Sequence, residues 1–337
     1  MIFFKFLFIF FTILFHFFPI NAFVLDEVKE RGYLKCGVSE PFVGFANVDT
    51  EGNWSGFDVD VCRAIASAIF SDPDKVEYVP TTSRSRFPIL AGGEVDLLSR
   101  VTTWTFSRDV NLGFEFTGIN YFDGQGFMVK SSLDIISAKE LDGASVCIIT
   151  GTSFQFNIDT FFKQNNINYT PVVVEFNDEA FENFLSGRCD VYSDYITELA
   201  NKRITLPDSN KYFILPDLIS KEPLSPLVRH GDDQWRDVVS WSLKVMIIAE
   251  ELNINSKNID NYLESNNNEI LRLLGIVGAY GDMIELDEKW AYNIIKQVGN
   301  YKEVFNRHLG SKTLLNMDRG LNKLYTEGGL LFAPPFR

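Results

Sequence analysis

The stretch GEVDLLSRVTTWTFSRD, residues 93–109, decides the fold. Its apolar centre, Val95 to Leu98, reads as a buried strand preceded by Gly92-Gly93. Ser99, Thr102, Thr103, Thr105 and Ser107 follow, and then Arg108. Hydroxyls, backbone N–H groups and a guanidinium fork at a strand's carboxyl end can grip a small carboxylate. The competing reading is a polar loop whose arginines face water. No nucleophile with a base beside it occurs in the stretch, so its chemistry is binding rather than bond-making.

Upstream, Tyr33 to Val38 reads as a first strand, followed by a polar loop over 43–55 with a turn at Asp49-Thr-Glu-Gly52. A helix is expected from Val59 to Phe70, with Val61, Ala64, Ile65, Ala68 and Ile69 on its apolar stripe. Val76 to Val79 is a second strand, and Arg86 to Ala91 a short helix ended by the two glycines. This βαβαβ order predicts an open, mostly parallel sheet whose ligands sit beyond the carboxyl ends of its strands.

The same order returns downstream. Residues 125–130 read as a strand crossing between lobes, and strands follow at 144–149, 170–175 and 189–192. Helices at 154–164 and 177–185 alternate with them, and 224–229 reads as the return crossing before a helix at 234–251. The expected architecture is α/β, with two mostly parallel sheets and a ligand cleft between two lobes. Its first lobe covers 23–124, its second 125–222, and 223–337 returns to the first and adds a C-terminal helical extension. Helical periods in the extension fall at 259–274, 290–305 and 315–325, and the Pro-rich end, 328–337, reads as extended chain against a lobe.

Residues 1–22, MIFFKFLFIFFTILFHFFPINA, are almost wholly apolar and carry one charge, Lys5. They read as a secretory signal peptide cleaved after Ala22; an uncleaved anchor is the competing reading. Without them the formal charge moves from −14 to −15, which argues against nucleic acid or an anionic membrane as partner. Behind an export signal, Cys36, Cys62, Cys147 and Cys189 allow three disulfide pairings. Each lobe holds two, so 36–62 with 147–189 is the economical choice, with free buried thiols as the alternative. Asp58, Asp60 and Glu51 lack the dense spacing of a calcium loop, and the three histidines are scattered, so neither metal nor cofactor is expected.

Gly151-Thr152-Ser153 falls where a strand meets a helix, where free N–H groups favour a carboxylate; an ordinary helix cap would look the same. Asp194, expected just past the strand 189–192, would pair with an ammonium group opposite Arg108, or simply face water. Ser39, Phe42 and Trp104 are candidate walls.

Seven segments carry a wider resemblance: CGVSEPFVGF, GNWSGFDVDVCRAIA, GEVDLLSRVTTWTFSRD, YFDGQGFMV, LDGASVCIITGTSFQFNI, GRCDVYSDYITELA and ISKEPLSPLVRHGDDQW. They resemble the periplasmic solute-binding proteins of amino-acid ABC transporters, in particular the general L-amino-acid group, and span 31–250. The resemblance implies a type II periplasmic-binding-protein fold that captures L-amino acids and delivers them to an inner-membrane permease, as a monomer and without catalysis. By matching position it puts the ligand's carboxylate on Arg108, helped by Thr103 and the backbone at Val101, and its ammonium on Asp194. Thr152 and Ser153 add contacts from the second lobe, and Ser39, Phe42 and Ser83 border the side chain. Where an aromatic commonly stacks on the ligand this chain has Ser83, which weakens any inference of a cationic side chain. Arg100 instead suits acidic or amide side chains, although a broad range fits equally. The enzyme alternative is a cyclohexadienyl or arogenate dehydratase on the same fold.

Overall fold

The computed structural model describes residues 23–337, so the expected signal peptide, 1–22, lies outside the described residues. After helix α1 (Val24–Arg31) come β1 (Leu34–Ser39), the short hairpin β2 (Asn47–Val48) and β3 (Trp54–Ser55), and α2 (Phe57–Phe70). Then follow β4 (Val76–Thr81), α3 (Arg86–Ala91), β5 (Leu97–Leu98), α4 (Phe106–Asn111) and β6 (Phe114–Phe116). Strand β7 (Tyr121–Asp123) leads through Gly124 into β8 (Gln125–Lys130). The second lobe continues with β9 (Ser145–Ile149), α5 (Phe154–Gln164), β10 (Thr170–Val174), α6 (Asn177–Ser186), β11 (Val191–Tyr195), α7 (Ile196–Ile204) and β12 (Tyr212–Ile214). The chain returns through β13 (Glu222–Leu224) and β14 (Leu227–Arg229) to α8 (Asp233–Glu251), α9 (Asn268–Leu273), α10 (Trp290–Gln297) and α11 (Tyr301–His308).

One five-stranded sheet has the order β4-β1-β5-β14-β6 and the other β10-β9-β11-β8-β12. Both are mixed but mostly parallel, as expected: in each, four strands run one way and one runs against them. In each, three strands pair in parallel, and the crossing strand joins them antiparallel: β14 against β5 and β6, β8 against β11 and β12. The reason is connectivity. Parallel neighbours need a helical crossover, whereas β8 and β14 enter straight from the strands that join the lobes. Those joining strands, β7 and β13, pair with each other, Phe122 opposite Pro223.

Each lobe carries one disulfide. Cys36 on β1 is bonded to Cys62 on α2, and Cys147 on β9 to Cys189 ahead of β11, with Cα atoms 6.3 and 5.7 Å apart. The economical pairing is the one present.

Two sequence expectations fail in instructive places. Strand β11 runs to Tyr195, so Asp194 lies inside the strand, opposite Gly126, rather than past its end. All five residues of β11 are buried, and the polar ones are satisfied by hydrogen bonds that hydropathy cannot register. In the extension, the helical period at 290–305 is cut into α10 and α11. Asn300 restarts the helix with a capping box to Glu303, each side chain taking the other's backbone N–H at 2.9 Å. At 259–274 only a 3-10 turn and α9 form, and 315–325 makes no α-helix. The last residues run extended, as expected: Phe336 is buried against Trp241, Tyr280 and Trp290.

Candidate functional site

Between the lobes lies a cavity of about 360 Å³, within the ~300–1,000 Å³ of small-molecule sites. The first lobe lines it with Ser39, Glu40, Phe42, Ser83, Arg86, Arg100 and Val101. The second contributes Thr152 and Phe154 at the start of α5, Asp178, Glu179 and Glu182 of α6, and Asp194 and Tyr195 of β11.

The loop after β5 is held from behind. Asp58, buried in the first turn of α2, accepts from the Val101 N–H (2.9 Å), Asn120 Nδ2 (3.1 Å) and Ser99 Oγ (3.3 Å). Val101 itself has φ +34°, a backbone conformation costly for a β-branched residue, and the Asp58 contact holds it there. Burial pushes the Asp58 carboxyl up to about 6, against those three donors. The loop thereby turns Arg100 into the cavity.

Two guanidiniums sit at the buried end. Arg86 and Arg100 are 2% and 6% exposed, and Arg86 Nε together with Arg100 Nε and Nη1 has no hydrogen-bond partner among the described residues. Burial lowers both pKa values, Arg100's to about 10, and for Arg86 the charges of Arg108 and Arg100 add to it. Buried cations lacking a full set of partners call for an anion. Ser39 Oγ, on the same wall, is also unpartnered.

Opposite them stands Asp194, 1% exposed. It accepts from Tyr192 Oη (2.6 Å) and the Tyr195 N–H (2.7 Å), yet burial outweighs these donors and raises its pKa, with Glu198 raised alongside it. An ammonium group would restore the ionised form. The exposed end of the cavity is acidic, with Glu40 on one lobe and Asp178, Glu179 and Glu182 on the other.

Of the residues the sequence singled out, Ser39, Phe42, Ser83, Arg100, Val101, Thr152 and Asp194 line this cavity. Arg108, Thr103 and Ser153 stand behind its wall. Arg108 Nη1 donates to the Thr103 carbonyl (2.8 Å), with the guanidinium over the Phe87 ring. Thr103 and Ser153 both donate to Glu222 of β13, at 2.5 and 3.2 Å, and Thr103 Oγ1 lies 3.0 Å from Tyr195 Oη. Arg86, Phe154, Tyr195 and the acidic end were missed. Arg86 lies in TTSRSRF, one turn from Ser83, but an arginine opening a short helix carries no mark distinguishing it from a solvated one.

The lobes are closed on one another. Arg86 Nη2 of the first donates to the Gly151 carbonyl of the second (3.1 Å), and Tyr195 Oη donates to the Val101 carbonyl (3.0 Å). Two lobes shut over a buried site of both charges make a receptor for a small dipolar solute. Bacterial extracellular solute-binding proteins, family 3, match residues 34–259. The chain belongs to that family. It is 49% identical over 318 residues to the glutamate/glutamine/aspartate/asparagine-binding protein BztA of Rhodobacter capsulatus, covering 94% of each chain. It is 48% identical over 319 residues to the general L-amino acid-binding periplasmic protein AapJ of Rhizobium johnstonii, again over 94% of each. Among solved structures, the ABC transporter periplasmic binding protein from Brucella ovis, with glutathione bound, is 46% identical. It superposes with a TM-score of 0.91 over 94% of this chain and 100% of that one.

Proposed function

We propose that this solute-binding protein captures L-amino acids in the periplasm, with acidic and amide side chains preferred, and hands them to an ABC permease. The observation that carries the reading is the presence, in one cavity, of the incompletely hydrogen-bonded guanidiniums of Arg86 and Arg100 and the buried carboxylate of Asp194. Asp194 takes the α-ammonium. One guanidinium takes the α-carboxylate and the other a side-chain carboxylate or amide oxygen, with Ser39 and Thr152 adding hydroxyls. Arg108, which the resemblance assigns to the carboxylate, then acts from behind by fixing the Thr103 carbonyl. Phe42 and Ser83 border the side chain. Ligand binds one lobe and the other closes over it, excluding water and strengthening every charge contact inside. The protein works as a monomer, after cleavage of residues 1–22, and leaves its ligand chemically unchanged; a dehydratase would not.

A second reading rests on the glutathione in the Brucella ovis relative. A γ-glutamyl peptide would present its glutamyl zwitterion to the same buried groups and extend toward the acidic end. Calorimetric titration of refolded residues 23–337 with the twenty L-amino acids and glutathione tests both readings. Micromolar or tighter binding of glutamate, glutamine, aspartate or asparagine is expected. Binding of none of the twenty by folded protein would remove the amino-acid reading, and binding of glutathione alone would establish the second.

A further inference from the structure

The strand that carries the chain from the first lobe to the second is gripped on both edges. On one, Phe122 of β7 faces Pro223 of β13. On the other, no strand pairs among the described residues, and the side chain of Asn322 takes that place, from the C-terminal extension and far beyond the 34–259 that the family match covers. Its amide does what a neighbouring strand would do: the Phe122 N–H donates to Asn322 Oδ1 (2.7 Å), and Asn322 Nδ2 donates to the Phe122 carbonyl (3.0 Å). Asn322 is 4% exposed.

The amide is itself held in position. Arg319 Nε donates to the Asn322 carbonyl (2.9 Å), while its two terminal nitrogens grip both carboxylate oxygens of Glu250 on α8. The Arg319 guanidinium lies over the rings of Tyr301 and Phe305, 5.4 and 5.6 Å from their centroids, and Tyr301 Oη donates to the carbonyl of Asn120 (2.8 Å), the residue before β7. Helices α8 and α11 both pack with α2 of the first lobe. A rigid path therefore runs from the first lobe through Glu250, Arg319 and Asn322 to the backbone of Phe122. Gly124 follows two residues later, and β8 of the second lobe begins at Gln125.

We infer that Asn322 is a positioning residue for lobe closure: it makes β7 part of the first lobe and confines bending of this crossing to Asp123–Gln125. The inference rests on the reading of the protein as a receptor that closes on its ligand. Loss of the grip lets the pivot wander, so the ligand-free protein samples wider openings. The closure-competent fraction falls, and apparent affinity falls with it.

The test needs no ligand for its first arm. Spin labels at Glu94→Cys and Lys163→Cys, both exposed and one on each lobe, report the interlobe distance by pulsed electron resonance. Asn322→Leu keeps the bulk and loses both hydrogen bonds; Asn322→Asp keeps the acceptor alone. Both are expected to lengthen and broaden the ligand-free distance distribution. With whichever amino acid the titration identifies, they weaken affinity about three- to thirty-fold, mainly through slower association. A purely structural asparagine would lower the melting temperature and leave the distribution and the affinity at the parent values, and that result overturns the inference. Hydrogen exchange on the unmodified, ligand-free protein gives a further test free of any folding defect. The Phe122 amide, bonded to Asn322 Oδ1, should exchange slowly, and fast exchange there would contradict a fixed pivot. If no amino acid binds but the distances still shift, the hinge inference stands and the ligand assignment falls.

Discussion

Arg86 of the first lobe hydrogen-bonds the carbonyl of Gly151 in the second, so a side chain lining the cavity also fastens the lobes together. In the proposed function an anion engages this same guanidinium, which would couple ligand binding to closure.

Gly151 is required at that contact. Its φ is +75°, and a Cβ there would lie 2.9 Å from the carbonyl oxygen of Ser83 on the facing lobe. Gly151→Ala should therefore oppose closure, weakening ligand affinity by about tenfold or more through the clash with the Ser83 carbonyl, while left-handed backbone strain of ~1–3 kcal/mol falls on open and closed forms alike. The ligand-induced rise in melting temperature should shrink beyond any fall in the ligand-free value. Calorimetry with a melting scan checks this, and an unchanged affinity would mean that the lobes do not approach so closely around ligand.

Replacement of each arginine separates direct from indirect contacts. Arg100→Ala and Arg86→Ala should each cost at least about thirtyfold in affinity, because truncating one partner of a buried charge pair typically costs ~2–5 kcal/mol. Arg108→Ala, which loses a contact to the Thr103 carbonyl, should cost less than either. If the Arg108 variant instead loses the most, the carboxylate sits on Arg108 and the wall in front of it rearranges on binding.

Acidity should act on the ligand-free and ligand-bound forms in opposite senses. Asp58 and Asp123 are pushed up to about 6 by burial, and Asp194 and Glu198 are raised by the same cause. A carboxyl raised in the folded state adds stability below its unfolded pKa of about 3.9 to 4.3, and that stability is lost as pH climbs through the folded value. The contribution of these four groups to ligand-free stability thus falls between about pH 4 and the neutral range. An ammonium on Asp194 relieves that group's share, so the ligand-induced rise in melting temperature should be larger at pH 7.5 than at pH 5. Asp194→Asn should abolish most of this difference. A larger shift at pH 5 would argue against an ammonium at Asp194.

Much of this fold could be read from the chain because strand and helix alternate with clean turn signals from Leu34 to Glu251. Helix α5 was placed at its observed bounds, and the disulfide pairing followed from having two cysteines in each lobe. What escaped depends on contacts distant in sequence. Asp58 reads as an acid in a helix's first turn, and only the folded loop shows that it holds Val101 in a left-handed conformation. The resemblance puts Thr103 and Ser153 on the ligand, whereas here both hydroxyls donate to Glu222, over sixty residues away, a contact the local sequence does not show. The break before α11, by contrast, was legible: Asn300-x-x-Glu303 is a capping signature inside an otherwise continuous helical period.

The proposal that Asp194 and the buried arginines hold the two ends of a zwitterion is decided by calorimetric titration of the parent protein and Asp194→Asn with L-glutamate and with N-acetyl-L-glutamate, which lacks the ammonium charge. Acetylation should weaken binding to the parent by at least about thirtyfold, the range for a buried charge left unpaired. Asp194→Asn should bind the two compounds within a few-fold of each other. Equal affinity of the parent protein for both compounds would rule out an ammonium held by Asp194.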